Sequence, residues 1–416
     1  MVSLEEPARD LDAIRLPEWG RVVEVSDVVP WRVEDETGCL VRPVQRYLRD
    51  LVAQGKSPGT VRSYAFVLLR WWRFLRVIGV RWDRATSAET RDFALWFQRA
   101  SKPGADRRTV SARTAGTINP VTRKQYLDDS YKPATVRHSN AVLRSFYEFW
   151  IEQGLGPVVN PVPQDRVRGR RPNAHHNPLE PFRPEGKLRY NPPLPRRRPR
   201  AMPDELWDGL FAAMPSDRDR AILALDVSTG ARAAELLGIR GADVDWGDQL
   251  IRVRRKGTGA QQWLPASPEA FVWLRLYVAE TGDLGGSEPV WRTLRQRCGR
   301  DGGELRWQPL TYDAWRAVLR RANASLGTNW SMHDLRHTCA VRMIRDQGLS
   351  LRDVQVILGH AHLTTTQIYL EEDDHEVIAR VREHLAGREE RAKAAAPLVA
   401  AGYDTGDLAV LFGGGQ

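Results

Sequence analysis

The chain has 416 residues, 42% of them hydrophobic, which is too long for one ordinary core and predicts two domains with connecting segments. Its three cysteines, Cys39, Cys298 and Cys339, are odd in number and far apart, so they predict neither a disulfide framework nor a zinc knuckle and favour a reducing cytoplasm. The formal net charge of +10 favours a polyanionic partner, and the lack of a long apolar run argues against a membrane span.

The first half of the chain has a helical pattern. Residues 1–42 carry ten acidic and five basic side chains, and we interpret them as an acidic N-terminal extension. Two later stretches, which begin near Pro58 and Pro133, share a Pro-x-Thr-Val-Arg entry, an aromatic-rich middle and a glycine exit. Their apolar residues recur at helical spacing. Residues 43–162 are therefore predicted to form a small all-α domain, with a polar loop or insertion over residues 101–130.

A basic segment separates this half from the rest. Residues 163–200 contain eleven Arg or Lys, three Asp or Glu, and nine prolines. Such a composition cannot build a core and is typical of an extended linker. The linker either lies along phosphates or serves solubility alone.

The second half mixes helices with one clear hairpin, "QLIRVRRKGTGAQQWLPA". In it, apolar and basic residues alternate before a Lys-Gly-Thr-Gly turn. We therefore predict a mixed α/β domain over residues 201–390 and a C-terminal tail over residues 391–416. The predicted fold class is multidomain, α and α+β, with the all-α domain followed by the mixed α/β domain.

Two positions early in this half are candidates for chemistry. Arg232 follows a Ser-Thr-Gly turn at the start of a helical run, where backbone N–H groups and the helix dipole favour an anion. Glu235 shares its helix face and can orient it, although a solvated ion pair is the alternative. Lys256 is the only lysine between Lys187 and Lys393. Because lysine can hand on a proton and arginine cannot, Lys256 is a candidate proton donor, unless chance alone left it there.

A third position is the stretch "SMHDLRHTCAVRMI". Ser331 and Asp334 have the spacing of a capping box, which places His333 in the first helical turn and Arg336 about one turn later. The same letters resemble the H-E-x-x-H of zinc proteases. Asp334 replaces the required glutamate, however, and Arg336 would put a cation beside the metal, so this alternative is disfavoured.

The fourth position is "ILGHAHLTTTQIYL", in which Gly359 precedes His360 and three threonines offer hydroxyls to cap a short helix carrying Tyr369. Taken alone, Tyr369 is better explained as a buried core aromatic. Together, however, the two arginines, one lysine, two histidines and one tyrosine match phosphoryl transfer. The sequence shows neither a carboxylate cluster for a metal nor a P-loop for a nucleotide.

The chain resembles the tyrosine recombinases, the phage-integrase family, over residues 43–390. The stretches "TGARAAELLGIRGADVDW", "HDLRHTCA" and "ILGHAHLTTTQIYL" are similar to the boxes of that family. Six positions follow the family order: Arg232, Lys256, His333, Arg336, His360 and Tyr369. The resemblance implies that the helical half is a core-binding domain, and that the two domains clamp duplex DNA.

The resemblance also implies a catalytic role for each of these residues. Tyr369 would be the nucleophile that forms a 3′-phosphotyrosyl link, while Arg232 and Arg336 would hold the phosphate oxygens. Lys256 would protonate the departing 5′-oxygen. His333 would assist the proton of the tyrosine.

His360 would donate a hydrogen bond to the phosphate, and Glu235 would support the first arginine. The bond energy would be kept in the enzyme–DNA link, so the family chemistry needs no metal, cofactor or ATP.

The implied partners are double-stranded DNA carrying a specific site and further copies of the chain, assembled as a tetramer on DNA. Accessory proteins are left open. We expect a cytoplasmic, nucleoid-associated protein that serves a mobile element. A helix after Tyr369, with Val377, Val381 and Leu385 along one face, would dock on a neighbouring protomer or pack on its own domain. The competing functions are a type IB topoisomerase and a DNA-binding protein that does not cut.

Overall fold

In a computed structural model of the protein, the structure describes residues 9–103, 113–165, 187–195, 201–298, 305–360, 366 and 381–386. The chain divides into two compact units, residues 1–196 and 197–416. The described residues of the first unit form these strands and α-helices: β1 (Arg21–Glu24), β2 (Trp31–Glu34), α1 (Arg42–Ala53), α2 (Pro58–Val77), α3 (Ser87–Arg99) and α4 (Pro133–Glu152).

The helices of the first unit follow from local signals and from an aromatic core. Ser57 caps α2 by accepting a hydrogen bond from the Thr60 N–H at 3.3 Å, and Pro58 occupies the first turn. Trp71 of α2 and Tyr147 of α4 are fully buried and joined by a 2.8 Å hydrogen bond from the indole N–H to the phenol oxygen. The predicted all-α domain is therefore a helical bundle with a core rich in large aromatic side chains.

The described part of the acidic extension belongs to the same core. Strands β1 and β2 form an antiparallel hairpin with Arg21 opposite Glu34. Val33 of this hairpin is fully buried, and Trp19 is 8% exposed. Arg9 donates hydrogen bonds to Glu89 and Asp92 of α3 at 2.6 and 2.7 Å. The described part of the predicted acidic extension, residues 9–42, thus packs on the helical domain, through contacts between segments about 80 positions apart.

Part of the basic linker is also bound to the first unit. Leu188 and Tyr190 pack against its core, and the Asn140 side chain donates to the Tyr190 carbonyl at 3.1 Å. Residues 187–195 therefore pack on the first unit, while the assignment of residues 163–200 as a basic linker stays a prediction. The other basic residues, over 166–186 and 196–200, lie outside the described residues.

The second unit combines helices with small antiparallel sheets. Its elements are α5 (Asp204–Ala212), α6 (Asp217–Thr229), α7 (Ala233–Leu237), β3 (Val244–Asp245), β4 (Leu250–Arg254), β5 (Gln261–Pro265), α8 (Pro268–Thr281), β6 (Arg297–Cys298), β7 (Leu305–Arg306), α9 (Tyr312–Leu326), α10 (Met332–Arg345) and α11 (Leu351–Leu358). Strands β3, β4 and β5 form one sheet, and β6 pairs with β7. The fold class predicted from the sequence is confirmed.

Helix α6 is the centre of the second unit. Ten of its thirteen residues are buried, and it packs against α8 and α10. A helix packed closely on its neighbours in this way has little room to shift. The turn that follows it, which leads to Arg232, is therefore fixed in position.

Two further predictions concern segments that the structure describes only in part. Between α3 and α4, residues 100–103 and 113–132 contain no helix or strand, as expected for a loop. Residues 381–386 are helical, with Val381 and Leu385 about half exposed. Tyr369 and Val377 lie outside the described residues. Over the part of the chain described here, no helix has the length and apolar character needed to span a bilayer.

Candidate active site

Arg232 is placed by a sharp turn between α6 and α7. Gly230 ends α6 in the left-handed conformation, with φ of +60°, and Arg232 is the N-cap residue of α7. An added Cβ at Gly230 would lie 2.8 Å from a Leu358 methyl group, so the turn requires glycine for space as well as for backbone angle. The Arg232 side chain is about one-third exposed.

The carboxylate of Glu235 organises the residues around Arg232. It accepts hydrogen bonds from the Arg232 backbone N–H at 3.1 Å and from Arg232 Nη1 at 2.8 Å. It also accepts from Arg255 Nη1 at 3.0 Å and from the Lys256 backbone N–H at 2.9 Å. Burial alone would raise the pKa of Glu235, but the hydrogen bonds from Lys256 and Arg232 outweigh it and lower that pKa. Glu235 is therefore an ionised anchor shared by α7 and the hairpin.

Lys256 lies at the exposed tip of the β4–β5 hairpin. Strands β4 and β5 pair from Leu250 opposite Pro265 to Arg254 opposite Gln261, and the tip follows. The Lys256 backbone is held by Glu235, whereas its side chain is exposed. The predicted hairpin and its turn are confirmed.

Arg336 joins the turn after α6 to the end of α11. A capping box between Ser331 and Asp334 begins α10, as predicted. One turn further, Arg336 is 2% exposed and donates from Nη1 to the Gly230 carbonyl and from Nη2 to the Leu358 carbonyl at 2.7 Å. A buried guanidinium with these partners has little freedom to move.

His360 is held directly against Arg336. Its Nε2 lies 2.9 Å from Arg336 Nη2, and its Nδ1 lies 2.9 Å from the hydroxyl of the buried Thr366. Because a guanidinium only donates, Nε2 is the acceptor, and a neutral ring then carries its proton on Nδ1. Burial and the nearby charges of Arg336 and Arg232 lower the pKa of His360 to about 4. The ring is therefore neutral at physiological pH. Donation from Nε2 to a phosphate would require the proton to change nitrogen.

The structure thus connects four of the predicted residues through described contacts: Arg232, Lys256, Arg336 and His360. His333 is an exposed residue in the first turn of α10, and its ring centroid lies 4.2 Å from that of His337. The position of Tyr369 lies outside the described residues.

Arg255 is the site residue that sequence reasoning missed. Ile251, Val253 and Arg255 follow the period-2 alternation of β4, so the pattern itself places Arg255 on the buried face. Buried arginines are rare unless a carboxylate pairs with them, and that partner is Glu235. This alternation is the feature of the sequence from which a buried Arg255 could have been predicted.

The donors of this site suit an anion. Two arginines with fixed forks can hold nonbridging phosphate oxygens, and the exposed lysine beside them can supply a proton. Among the described residues, no group of three or more His, Cys, Asp and Glu side chains is arranged to hold a metal ion.

Comparison with known proteins gives the family. The model of the phage integrase family matches residues 206–376, and that of the phage integrase N-terminal SAM-like domain matches residues 44–117. Tyrosine recombinase XerD of Pseudomonas aeruginosa is 32% identical over 253 residues, which cover 58% of this chain and 72% of that protein. The chain therefore belongs to the tyrosine recombinase, or phage integrase, family. Its enzyme class is that of the tyrosine-type site-specific recombinases.

Other relatives and solved structures agree. Tyrosine recombinase XerD of Mycobacterium tuberculosis is 36% identical over 193 residues, covering 43% of this chain and 58% of that protein. A lambda integrase dimer bound to a COC′ core site matches with a TM-score of 0.51 at 16% identity, covering 80% of this chain and 96% of that one. This structural likeness supports the fold.

Proposed function

We propose that the protein cuts and rejoins double-stranded DNA at a specific site through a covalent bond between Tyr369 and a 3′-phosphate. The observation that carries the proposal is the joining of Arg336 to the Gly230 turn and to His360, which brings the two arginines and the histidine to one place. The solved lambda integrase dimer is bound to a COC′ core site, which supports DNA as the partner of this chain.

The proposed step exchanges one phosphodiester for another. The Tyr369 oxygen attacks phosphorus, the bond from phosphorus to the 5′-oxygen breaks, and Lys256 gives its proton to that oxygen. His333 assists removal of the tyrosine proton, while Arg232 and Arg336 stabilise the charge on the phosphate oxygens. Attack by a different 5′-hydroxyl reverses the step and restores the tyrosine. Since one ester replaces another, we propose that neither ATP nor a metal ion is needed.

Covalent capture tests this proposal. The protein is incubated in EDTA and without ATP with DNA from the flanks of its own gene, and adducts that survive SDS are separated on a gel. We expect a band that is lost in Tyr369→Phe and retained in Tyr312→Phe, a matched change at a half-exposed tyrosine of α9. Arg232→Ala should lower the rate of adduct formation by about 10²–10³-fold, the typical cost of removing an oxyanion donor.

Other outcomes favour other functions. Adducts on any supercoiled plasmid, with relaxation by a monomer, would favour a type IB topoisomerase. Tight binding to a DNA site without any adduct would favour a DNA-binding protein that does not cut. If the purified protein contained one zinc ion per chain and lost its activity when the zinc was removed, the zinc-protease hypothesis would be favoured instead.

We further propose that the protein acts as a tetramer on DNA for a mobile element. The half-exposed Val381 and Leu385 support docking of the C-terminal helix on a neighbouring protomer. Removal of residues from 376 onward should then abolish cooperative assembly on DNA, as followed by gel shift. Unchanged assembly would instead place this helix on its own domain.

A further inference from the structure

Arg255 occupies the centre of the site although no catalytic step uses it. Its side chain is 6% exposed, and each of its three nitrogens has a partner on a different element. Nη1 donates to Glu235 of α7 at 3.0 Å, Nε donates to Gln262 of β5 at 2.8 Å, and Nη2 donates to the Ile357 carbonyl of α11. One planar cation therefore joins α7, the hairpin and α11.

The bonds to α11 satisfy the end of a helix. The Gln262 amide, which accepts from Arg255, also donates to the Val356 carbonyl at 2.9 Å. Arg255 binds the next carbonyl, that of Ile357, and Arg336 binds that of Leu358. The last carbonyls of a helix have no partner within it, and cations near them are favoured by the helix dipole. The three donors thus fix the helix end from which His360 follows.

The backbone at this helix end is built around the arginine. Gly359 ends α11 in the left-handed conformation with φ of +63°. A Cβ added there would lie 2.7 Å from Arg255 Nε, so the chain approaches the guanidinium as closely as glycine allows. His360 is the next residue, and its N–H donates to the Gln355 carbonyl at 3.1 Å.

We propose that Arg255 is a positioning residue for strand cleavage, which holds Lys256, the Glu235–Arg232 pair and His360 in one geometry by bridging three elements. This inference rests on the proposed function, because it assigns Lys256 the role of proton donor to the 5′-oxygen. Lysine cannot replace the arginine, since its single ammonium has no fork to reach Glu235, Gln262 and the Ile357 carbonyl together.

Leaving-group dependence distinguishes positioning from simple support of the fold. DNA with sulfur in place of the bridging 5′-oxygen releases a thiolate, whose conjugate thiol ionises at about pH 8.5, so departure needs no proton donor. We expect Arg255→Met to slow cleavage of ordinary DNA by on the order of 10²-fold, the typical cost of a small misplacement of catalytic groups. On the sulfur substrate the loss should be several-fold smaller, because a displaced Lys256 no longer matters.

Two further variants complete the test. Arg255→Lys should show the same dependence on the leaving group as Arg255→Met, because it keeps the charge but loses the bridge. Arg292→Met is the matched control: Arg292 is 7% exposed, and its side chain donates to Glu288 and to the Pro289 carbonyl. Any loss of cleavage rate in Arg292→Met should be equal on ordinary DNA and on the sulfur substrate. If Arg255→Met does not fold, Gln262→Met replaces it. We expect Gln262→Met to slow cleavage less than the about 10²-fold expected for Arg255→Met, and again to slow ordinary DNA more than the sulfur substrate.

Amide hydrogen exchange without DNA tests the positioning independently of catalysis. The backbone N–H groups of Lys256 and His360 should exchange faster in Arg255→Met and Arg255→Lys than in the wild type. In Arg292→Met their exchange rates should equal those of the wild type. Equal losses on both substrates together with unchanged exchange would overturn the inference. A wild type that forms no adduct with either substrate would overturn the proposed function, while the exchange rates would still decide whether Arg255 positions these groups.

Discussion

The backbone N–H of Lys256 donates to Glu235 Oε1 at 2.9 Å, so the carboxylate that orients Arg232 also holds the tip of the β4–β5 hairpin. Sequence spacing indicates the Arg232–Glu235 pair, three positions apart. The link to Lys256 spans 21 positions and depends on how the hairpin packs on α7. A single buried anion therefore places two of the proposed catalytic residues.

We predict that Glu235→Gln lowers the free energy of unfolding by about 3–5 kcal/mol, because Arg255 keeps a buried charge without its partner. Urea denaturation measures the loss. The pKa of Glu235 is lowered in the folded state, so its stabilising effect is present above the ordinary pKa and is lost as the pH falls through the lowered value. The difference between variant and wild type should therefore shrink in acid.

Glu36→Gln is the control for this prediction. Glu36 pairs with Arg76 at 3.7 Å, and the two side chains are 63% and 51% exposed, so no buried charge loses its partner. The replacement should cost less than about 1 kcal/mol. Similar losses for Glu36→Gln and Glu235→Gln would contradict the anchoring role of Glu235.

We predict that His360 stays neutral from about pH 5 to about pH 8 with its proton on Nδ1. The physical reason is a pKa lowered to about 4 by burial and neighbouring arginines. The unfolded chain then binds the extra proton, so the contribution of His360 to stability falls as the pH drops below about 6.5. Ring nitrogen shifts in an NMR titration give both the pKa and the tautomer.

Thr366→Val tests the hydrogen bond that accepts the Nδ1 proton. Valine keeps the shape and removes the hydroxyl, so the Nδ1–H loses its acceptor and we expect a loss of about 1–3 kcal/mol in the free energy of unfolding. The proton should stay on Nδ1, because Nε2 still accepts from Arg336. A His360 ring that titrates near about 6.5 in the wild type would disprove the neutral assignment.

We predict that Gly359→Ala destabilises the protein more than Gly327→Ala. Both glycines have φ near +64°, which costs an alanine about 1–2 kcal/mol. The added Cβ at Gly359 would also lie 2.7 Å from Arg255 Nε, whereas at Gly327 no atom lies within 4 Å. The excess measured by urea denaturation should disappear when Arg255→Met is combined with Gly359→Ala. Equal losses of stability in Gly359→Ala and Gly327→Ala would show that the Arg255 side chain moves away from the added Cβ without a cost in free energy.

We predict that Asp226→Asn becomes more stable relative to the wild type as the pH rises above the ordinary pKa of aspartate, about 3.9. Both carboxyl oxygens of Asp226 are buried and have no hydrogen-bond partner among the described residues. Burial raises the pKa of this carboxyl well above its usual value. Since an unfolded aspartate ionises near about pH 3.9, folding above that pH returns a proton to Asp226 until the pH reaches its raised pKa, so stability falls with rising pH over this range.

Asp219→Asn, on the same helix, is the control for the buried carboxyl. Asp219 Oδ1 accepts from Arg218 at 2.6 Å, and both side chains are buried. The change should destabilise the protein at neutral pH because it removes the charge that pairs with Arg218. Thermal unfolding across the pH range compares both variants. If the melting temperature of Asp226→Asn followed the same pH dependence as that of the wild type, the carboxyl of Asp226 would not be protonated in the folded protein.

The local signals of this chain were predictable from sequence because neighbours along the chain complete them. Ser57 and Pro58 begin α2, and the Ser331–Asp334 capping box begins α10, each through contacts within one turn. The alternation of β4 and the glycines after Lys256 likewise predicted the hairpin. The β1–β2 hairpin was not predicted, because four-residue strands gain their stability from packing on α2.

The sequence by itself determined which chemical groups are present and in what order, since the residue types, their spacing and the family boxes depend on neighbours along the chain. Tertiary structure alone decided that Arg336 reaches Gly230, 106 positions away, and that Arg255 reaches Ile357, 102 positions away. It also decided that Asp226 is enclosed without a hydrogen-bond partner among the described residues, while Glu235 is enclosed with four donors. The reason is that burial and hydrogen-bond partners, which set the charge and position of each group, come from segments distant in the chain.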